Sequence, residues 1–311
     1  MPDALPKPYL LSPEVIQARH LNLPVVALES AVITHGLPRP TNLELAMSVE
    51  AEVRAHQAVP ATIALLAGKI CVGLSPASLE QLSNERNARK VSRRDFATTL
   101  QANASGGTTV AGTLVAARTV GIRVFSTGGI GGVHRQAPFD VSADLIELSR
   151  SPLVVVCAGA KAILDLPNTL EYLETMGVPV VGYQTDEFPA FYSRSSGLKL
   201  TASASTPAQI AAIAQIHWSL GLESAILVVV PLPEDVALPR ADVEKMIDQA
   251  LAEAQKNGIH GQAVTPFLLN RVSELSGGAS LHANLELLLN NARLAAQIAV
   301  ELTPGRPKRA V

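Results

Sequence analysis

Lys161 follows a run of apolar and small residues, Val154-Val155-Val156-Cys157-Ala158-Gly159-Ala160, with no carboxylate beside it in the sequence. The three β-branched residues predict a buried strand, and Gly159 predicts its end. A lysine at the end of an apolar strand loses hydration, which lowers its pKa and makes the neutral amine a nucleophile. A free lysine titrates near ~10.4, so roughly one molecule in 2,500 is neutral at pH 7. Tuning to about 7–8 raises that share several-hundred-fold. The plainer reading is a strand-end lysine facing water, and the segment alone is compatible with both.

Further candidate chemistry sits in loops after predicted strands, where ligands bind in sheets whose scaffold is rigid and whose loops diverge. Glu29-Ser30 ends an apolar strand over residues 25–29. Gly128-Gly129-Ile130-Gly131-Gly132-Val133-His134-Arg135 follows a strand over 122–126 and reads as a flexible loop presenting His134 and Arg135. Gln184-Thr185-Asp186-Glu187 follows a strand over 178–183. These loops and the Lys161 segment are expected to converge on one cleft. Gly106-Gly107-Thr108-Thr109 precedes a predicted helix. Glycines beside a helix N-terminus, two hydroxyls and Lys90 in the same region suit a phosphate, although glycine before a helix is often only a turn. Asp140 and Asp144 flank Ser142 at a helix start, where acidic groups are favoured by the dipole alone. In a cleft, one such carboxylate holds a hard cation such as Mg²⁺ or Mn²⁺ together with waters and substrate. His35 reads as a turn or supporting residue. No His-Glu-x-x-His or Gly-x-Ser-x-Gly motif occurs, which disfavours zinc proteases and common serine hydrolases.

The elements that must position these groups alternate. Helices are predicted over 42–56, 108–119, 142–149, 168–176, 206–220 and 241–257, with strands between them. A hairpin turns at Ala67-Gly68-Lys69, and Ser75-Pro76 opens a short helix. Thr265-Pro266 opens another helix, and 280–302 reads as a long one. Such alternation implies an α/β fold, a single α/β/α layered domain with a largely parallel central sheet flanked by helices. Residues 1–20 read as an N-terminal arm or short helix, 21–302 as the domain, and 303–311 as a disordered tail.

Composition narrows the class. The chain has 311 residues, 48% of them hydrophobic, which allows a large core. A formal net charge of −2 argues against a nucleic acid or an anionic membrane as partner. Two cysteines in apolar runs, no apolar leader and no membrane-length segment suit a cytoplasmic protein.

Together the segments resemble the pseudouridine-5′-phosphate glycosidase family, also described as indigoidine synthase A-like. The resemblance runs over roughly residues 24–300. It is carried by Ala27-Leu28-Glu29-Ser30, Thr34-His35-Gly36-Leu37-Pro38, Pro60-Ala61-Thr62-Ile63 and Lys90-Val91-Ser92-Arg93-Arg94-Asp95. It continues through Thr108-Thr109-Val110-Ala111, Ser126 to Arg135, Asp140 to Ile146, Val156 to Lys161, Leu170 to Glu174, Asp186 to Tyr192 and Arg194 to Gly197. The resemblance implies Lys161 as nucleophile and Glu29 as general acid. It implies Lys90, Thr109, Val110, Ser142, Ala143, Asp144, His134 and Asn284 as substrate-binding residues. Asp140 would hold one divalent metal per subunit, typically Mn²⁺, in a homotrimer. The stretch Gln136 to Phe139 is shorter than the family pattern implies.

The implied reaction is reversible cleavage of the C–C glycosidic bond of pseudouridine 5′-phosphate to uracil and ribose 5-phosphate. Glu29 would protonate the ring oxygen as the sugar opens, and Lys161 would hold C1′ as an imine that serves as electron sink. A Schiff-base aldolase-type enzyme on another phosphosugar would use the same lysines and glycine loop. A non-catalytic sugar-phosphate or nucleotide binding protein would need the loops but not Glu29 and Lys161 together.

Overall fold

A computed structural model describes residues 5–135, 137–259 and 264–303. The strands are β1 (Tyr9–Leu11), β2 (Val25–Leu28), β3 (Val59–Leu66), β4 (Lys69–Val72), β5 (Arg89–Val91), β6 (Gly106–Thr108) and β7 (Val124–Ser126). They continue with β8 (Val133–His134), β9 (Ala137–Val141), β10 (Val154–Cys157), β11 (Leu164–Asp165), β12 (Val180–Tyr183), β13 (Ala202–Ala204) and β14 (Ile226–Val229). Among the described residues they form two sheets. The larger runs β1-β4-β3-β2-β7-β10-β14-β12-β13, with β6 also on β3 and β5 on β6; the smaller is β11-β8-β9.

From β3 through β2 to β13 each neighbour is parallel, while β3 is antiparallel to β4 and β6. The reason is in the strands themselves. Every residue of β10 and β14 is buried, as a parallel strand covered on both faces requires.

The covering helices are α1 (Pro13–His20), α2 (Thr41–Ala55), α3 (Pro76–Asn84), α4 (Phe96–Gln101), α5 (Val110–Thr119) and α6 (Ala143–Leu148). Downstream lie α7 (Leu166–Thr175), α8 (Pro207–Ser219), α9 (Arg240–Lys256), α10 (Val264–Leu275) and α11 (Ala279–Leu302). α11 packs along β2, β7 and β10 and touches α2 and α8, whereas α5 packs on β2, β3 and β4 and touches α6. Two helix starts matter for the cleft. Thr109 caps α5 by accepting from the Gly112 amide, and Ser142 caps α6 by accepting from the Asp144 amide.

The α/β/α layering stands as the sequence predicts, and one segment, Gly106-Gly107, differs from its expected form. The short helix offered for the N-terminal segment is α1, and ahead of it β1 pairs with β4, Tyr9 opposite Ile70, because extended apolar residues satisfy that strand's open edge. Gly106 and Gly107 form strand β6 rather than a loop before a helix. A Cβ on Gly107 would stand 2.3 Å from Thr34 Oγ1 and 2.6 Å from the Ser30 carbonyl, so close packing demands that glycine. The expected tail beyond Thr303 lies outside the described residues. Among the described residues no helix is long and apolar enough to cross a membrane.

Gly159 carries the turn that delivers Lys161. Its φ is +89°, and a Cβ there would lie 2.4 Å from the Pro189 carbonyl oxygen. Gly159→Ala should therefore cost about 1–3 kcal/mol or more in urea unfolding. A variant as stable as the parent would show that this turn tolerates a side chain.

Candidate active site

Strands β2, β7 and β10 lie side by side, and the residues just beyond their ends meet. Glu29 follows β2 directly, and Lys161 follows the β10 turn, its amide donating to the Ile130 carbonyl at 3.1 Å. A cavity of about 740 Å³ is lined by Glu29, Lys90, Thr109, Val110, His134, Asp140, Ser142, Ala143, Asp144 and Lys161, and also by Ser92 to Asp95, Glu147 and Arg150. An adjoining recess of about 70 Å³ shares Glu29, Lys90 and Lys161 and adds His35, Phe191, Asn284 and the apolar Val32, Leu269 and Leu288. Every residue that the resemblance implies for the site thus lines this cavity or its recess. A second large cavity, about 770 Å³, opens near the starts of β2 and β7 around Val25 and Val124 and contains none of them.

Asp144 sets the geometry of the larger cavity. It is buried, and its two oxygens accept from the Ala111 amide of α5 and the Gly131 amide after β7, each at 2.8 Å. Gly131 has no room for more: a Cβ would lie 2.2 Å from Ser142 Oγ. The glycine run after β7 is accordingly a pinned segment, not the flexible loop expected. The Ala158 amide donates to Gly128 O at 2.9 Å, and the Ile130 amide donates to Gly159 O at 3.1 Å. Paired amides and carbonyls bind this loop to the Lys161 loop as a short continuation of the sheet.

The electrostatics are opposed in sign. Burial raises the Glu29 carboxyl above its usual range; Lys161, a hydrogen bond from the Thr127 hydroxyl and Lys90 all oppose this, and Asp144 adds to it. Lys90 moves the other way, held below the ordinary lysine range by burial and then by Lys161. His35 is lowered as well, by burial and then by Lys90. A carboxyl displaced upward beside an amine displaced downward in one cleft is the pattern that proton-transfer sites show. Lys90 reaches this position because β5 pairs with β6, placing it opposite Gly107.

Asp140, at the end of β9, is exposed and faces the cavity, while Asp144 is committed to backbone amides. Among the described residues no group of three or more histidine, cysteine or acidic side chains forms a metal cage. This donor set fits a hard cation that keeps waters and substrate oxygens for most of its shell, and does not fit zinc.

Two expectations fail. Arg135 turns away from the cleft: it pairs with Glu244 at 2.7 Å and donates to the Ala162 and Leu164 carbonyls. The loop 184–187 is also absent from the lining, and its acidic side chains pair instead with Lys199, Asp186 at 2.9 Å and Glu187 at 3.1 Å. Thr127, Phe191, Thr265, Leu269 and Leu288 were not legible as site residues. One signal existed for the last three. Thr265 with Leu269, and Asn284 with Leu288, are spaced i, i+4 and so share a helix face.

Residues 14–301 match the family model described as indigoidine synthase A like protein. The chain is 54% identical over 294 residues to the pseudouridine-5′-phosphate glycosidase of Solibacter usitatus, spanning 94% of this chain and 98% of that protein. It is 51% identical over 291 residues to the protein of the same name from Staphylococcus aureus, spanning 93% and 95%. Among solved structures it is similar to the prealnumycin C-glycosynthase AlnA in complex with ribulose 5-phosphate. That similarity has a TM-score of 0.88 and 39% identity over 97% of this chain and 98% of that one. An indigoidine synthase A-like protein from Thermotoga maritima gives 0.85 and 38% over 91% and 94%.

The raised Glu29 carboxyl has a consequence for folding. The folded state binds that proton more tightly than the unfolded chain, whose value is about 4.5. The associated stability is therefore complete below that pH and is lost as pH rises through the folded value. Glu29→Gln should gain on the parent in urea unfolding as pH increases above about 4.5. A difference between the two proteins that does not change with pH would assign the effect elsewhere.

Proposed function

The chain belongs to the indigoidine synthase A-like family, and from that premise we propose that it reversibly cleaves the C–C glycosidic bond of pseudouridine 5′-phosphate, giving uracil and ribose 5-phosphate. The observation that carries this reading is the meeting of Glu29 and Lys161 from separate strands on one cleft that also holds Lys90 and the α5 N-terminus. A pair of carboxylates serves a glycoside whose leaving atom is oxygen; here the leaving atom is carbon, which departs poorly as an anion. An amine and one acid solve the problem in another way.

Glu29 donates its proton to the ring oxygen as the C1′–O4′ bond breaks, and the uracil ring's electrons support C1′. The Lys161 nitrogen lone pair forms a bond to C1′. A proton from the new ammonium returns to the Glu29 carboxylate, which passes it to C5 of uracil. The nitrogen lone pair then forms the protonated imine as the C1′–C5 bond breaks. Water adds to C1′, losing a proton to the Glu29 carboxylate, and the C–N bond breaks, releasing ribose 5-phosphate and restoring both the amine and the acid. Burial of Glu29 keeps it protonated above the usual carboxylate range, as the first step needs.

The phosphate lies by Thr109, Val110, Ser142 to Asp144 and Lys90, where the capped start of α5 presents the positive end of its dipole. Uracil takes the recess with Asn284. The shape supports this division, since the recess suits a single ring and the larger cavity an open sugar phosphate. His134 closes the sugar side. Asp140 would hold one Mn²⁺ per subunit, which supplies charge neutralisation and orientation for the anionic substrate. We assign the working form to a homotrimer and its place to the cytoplasm, the latter in keeping with the free, buried Cys71 and Cys157.

Lys161→Ala should stay folded and lose uracil release entirely. Borohydride with ribose 5-phosphate should add the reduced sugar's mass at Lys161 of the parent, and an unmodified Lys161 would sink the imine. Glu29→Gln should bind ribose 5-phosphate but release no uracil. Equilibrium dialysis should find one Mn²⁺ per chain, lost in Asp140→Asn, and light scattering should find three chains per particle. Metal binding that survives the substitution, or a monomer, would remove the corresponding assignment.

A further inference from the structure

Phe191 adopts φ +61°, in the left-handed region that a bulky residue enters only when its surroundings impose it. The constraints are visible. Its amide donates to the Ala158 carbonyl at 3.2 Å, tying it to the turn that carries Lys161. Its ring is 2% exposed and meets Tyr192 edge-on, with centroids 4.7 Å apart and planes at 71°. On another side, Cε2 and Cδ2 lie so close to Gly129 that a Cβ there would stand 2.6 and 2.7 Å away. The ring is therefore wedged between Tyr192 and the glycine loop. It is held where it lines the small recess beside Glu29, Lys161 and Asn284.

We propose that Phe191 is the specificity-determining wall of the heterocycle recess, making aromatic contact with uracil and limiting the site to an unsubstituted single ring. Strain at such a residue persists at functional sites where packing over-determines it, and core filling alone has no need of a left-handed phenylalanine. Aromatic contact suits every pyrimidine π-face, while Asn284 offers a donor and an acceptor for the ring edge. The fixed ring on a glycine seat leaves no room to adapt, so selectivity here is steric. This inference rests on the assignment of the recess to uracil.

The test uses the full chain in the synthetic direction, with ribose 5-phosphate and either uracil or 6-methyluracil, on Phe191→Ala and Phe191→Leu. Borohydride trapping of ribose 5-phosphate alone reports the sugar side independently. In the alanine variant the KM for uracil should rise about ten-fold or more, with a smaller rise for leucine. The KM for ribose 5-phosphate should stay within about two-fold and trapping should be intact. The preference for uracil over 6-methyluracil should fall in the alanine variant. An unchanged uracil KM and preference with intact trapping would overturn the proposal. Loss of trapping from both variants would also overturn it, because Phe191 would then serve the sugar side or the fold. A parent protein that neither traps sugar nor releases uracil would instead fail the imine reading, and this inference with it.

Discussion

A single buried carboxylate holds the walls of the cleft in register. Asp144 accepts from the Ala111 amide at the start of α5 and from the Gly131 amide after β7, while its own amide is capped by Ser142 at the start of α6. Backbone amides that donate to a carboxylate make stronger bonds than they make to neutral acceptors. They also use the unsatisfied N–H groups that helix starts and tight loops leave over. Remove this anchor and three elements lose their common reference. Gly131 packs too tightly against Ser142 and Asp144 for any side chain, so anchor and loop are matched in shape as well as charge.

The same carboxylate shapes the field felt by the reacting groups. It opposes ionisation of Glu29 and favours the charged form of Lys90. Burial acts on both groups more strongly, raising the carboxyl and lowering the amine, so the cleft favours neutral forms of each. An acid whose carboxyl is displaced upward then sits with amines from β5 and from the turn after β10 in one small volume. The arrangement depends on a sheet buried on both faces, because only the ends of such strands are both rigid and partly dry.

Legibility along the chain followed the range of the interactions. Lys161, Glu29 and the helix that starts after Gly107 were readable because apolar runs, strand ends and helical periodicity are local patterns. Arg135 and the loop 184–187 misled, since charge in a strand-end loop looks the same whether it faces substrate or pairs with a neighbour such as Glu244 or Lys199. Gly106 and Gly107 misled for a related reason. Glycine signals a turn in sequence, yet here the absent side chains admit Thr34 and Ser30 from a distant segment.

By itself the sequence determined the alternating elements, the family and the residue types able to do chemistry, because hydrophobic period, capping and motif spacing act over a few residues. The tertiary structure alone decided which of those residues meet, which carboxylate is spent on backbone amides and which lies open, and how burial tilts Glu29 and Lys90 in opposite directions. It also brought in Thr127, Phe191 and the inner faces of α10 and α11. Those contacts join residues up to most of the chain apart, and only strand order and helix packing specify such pairings.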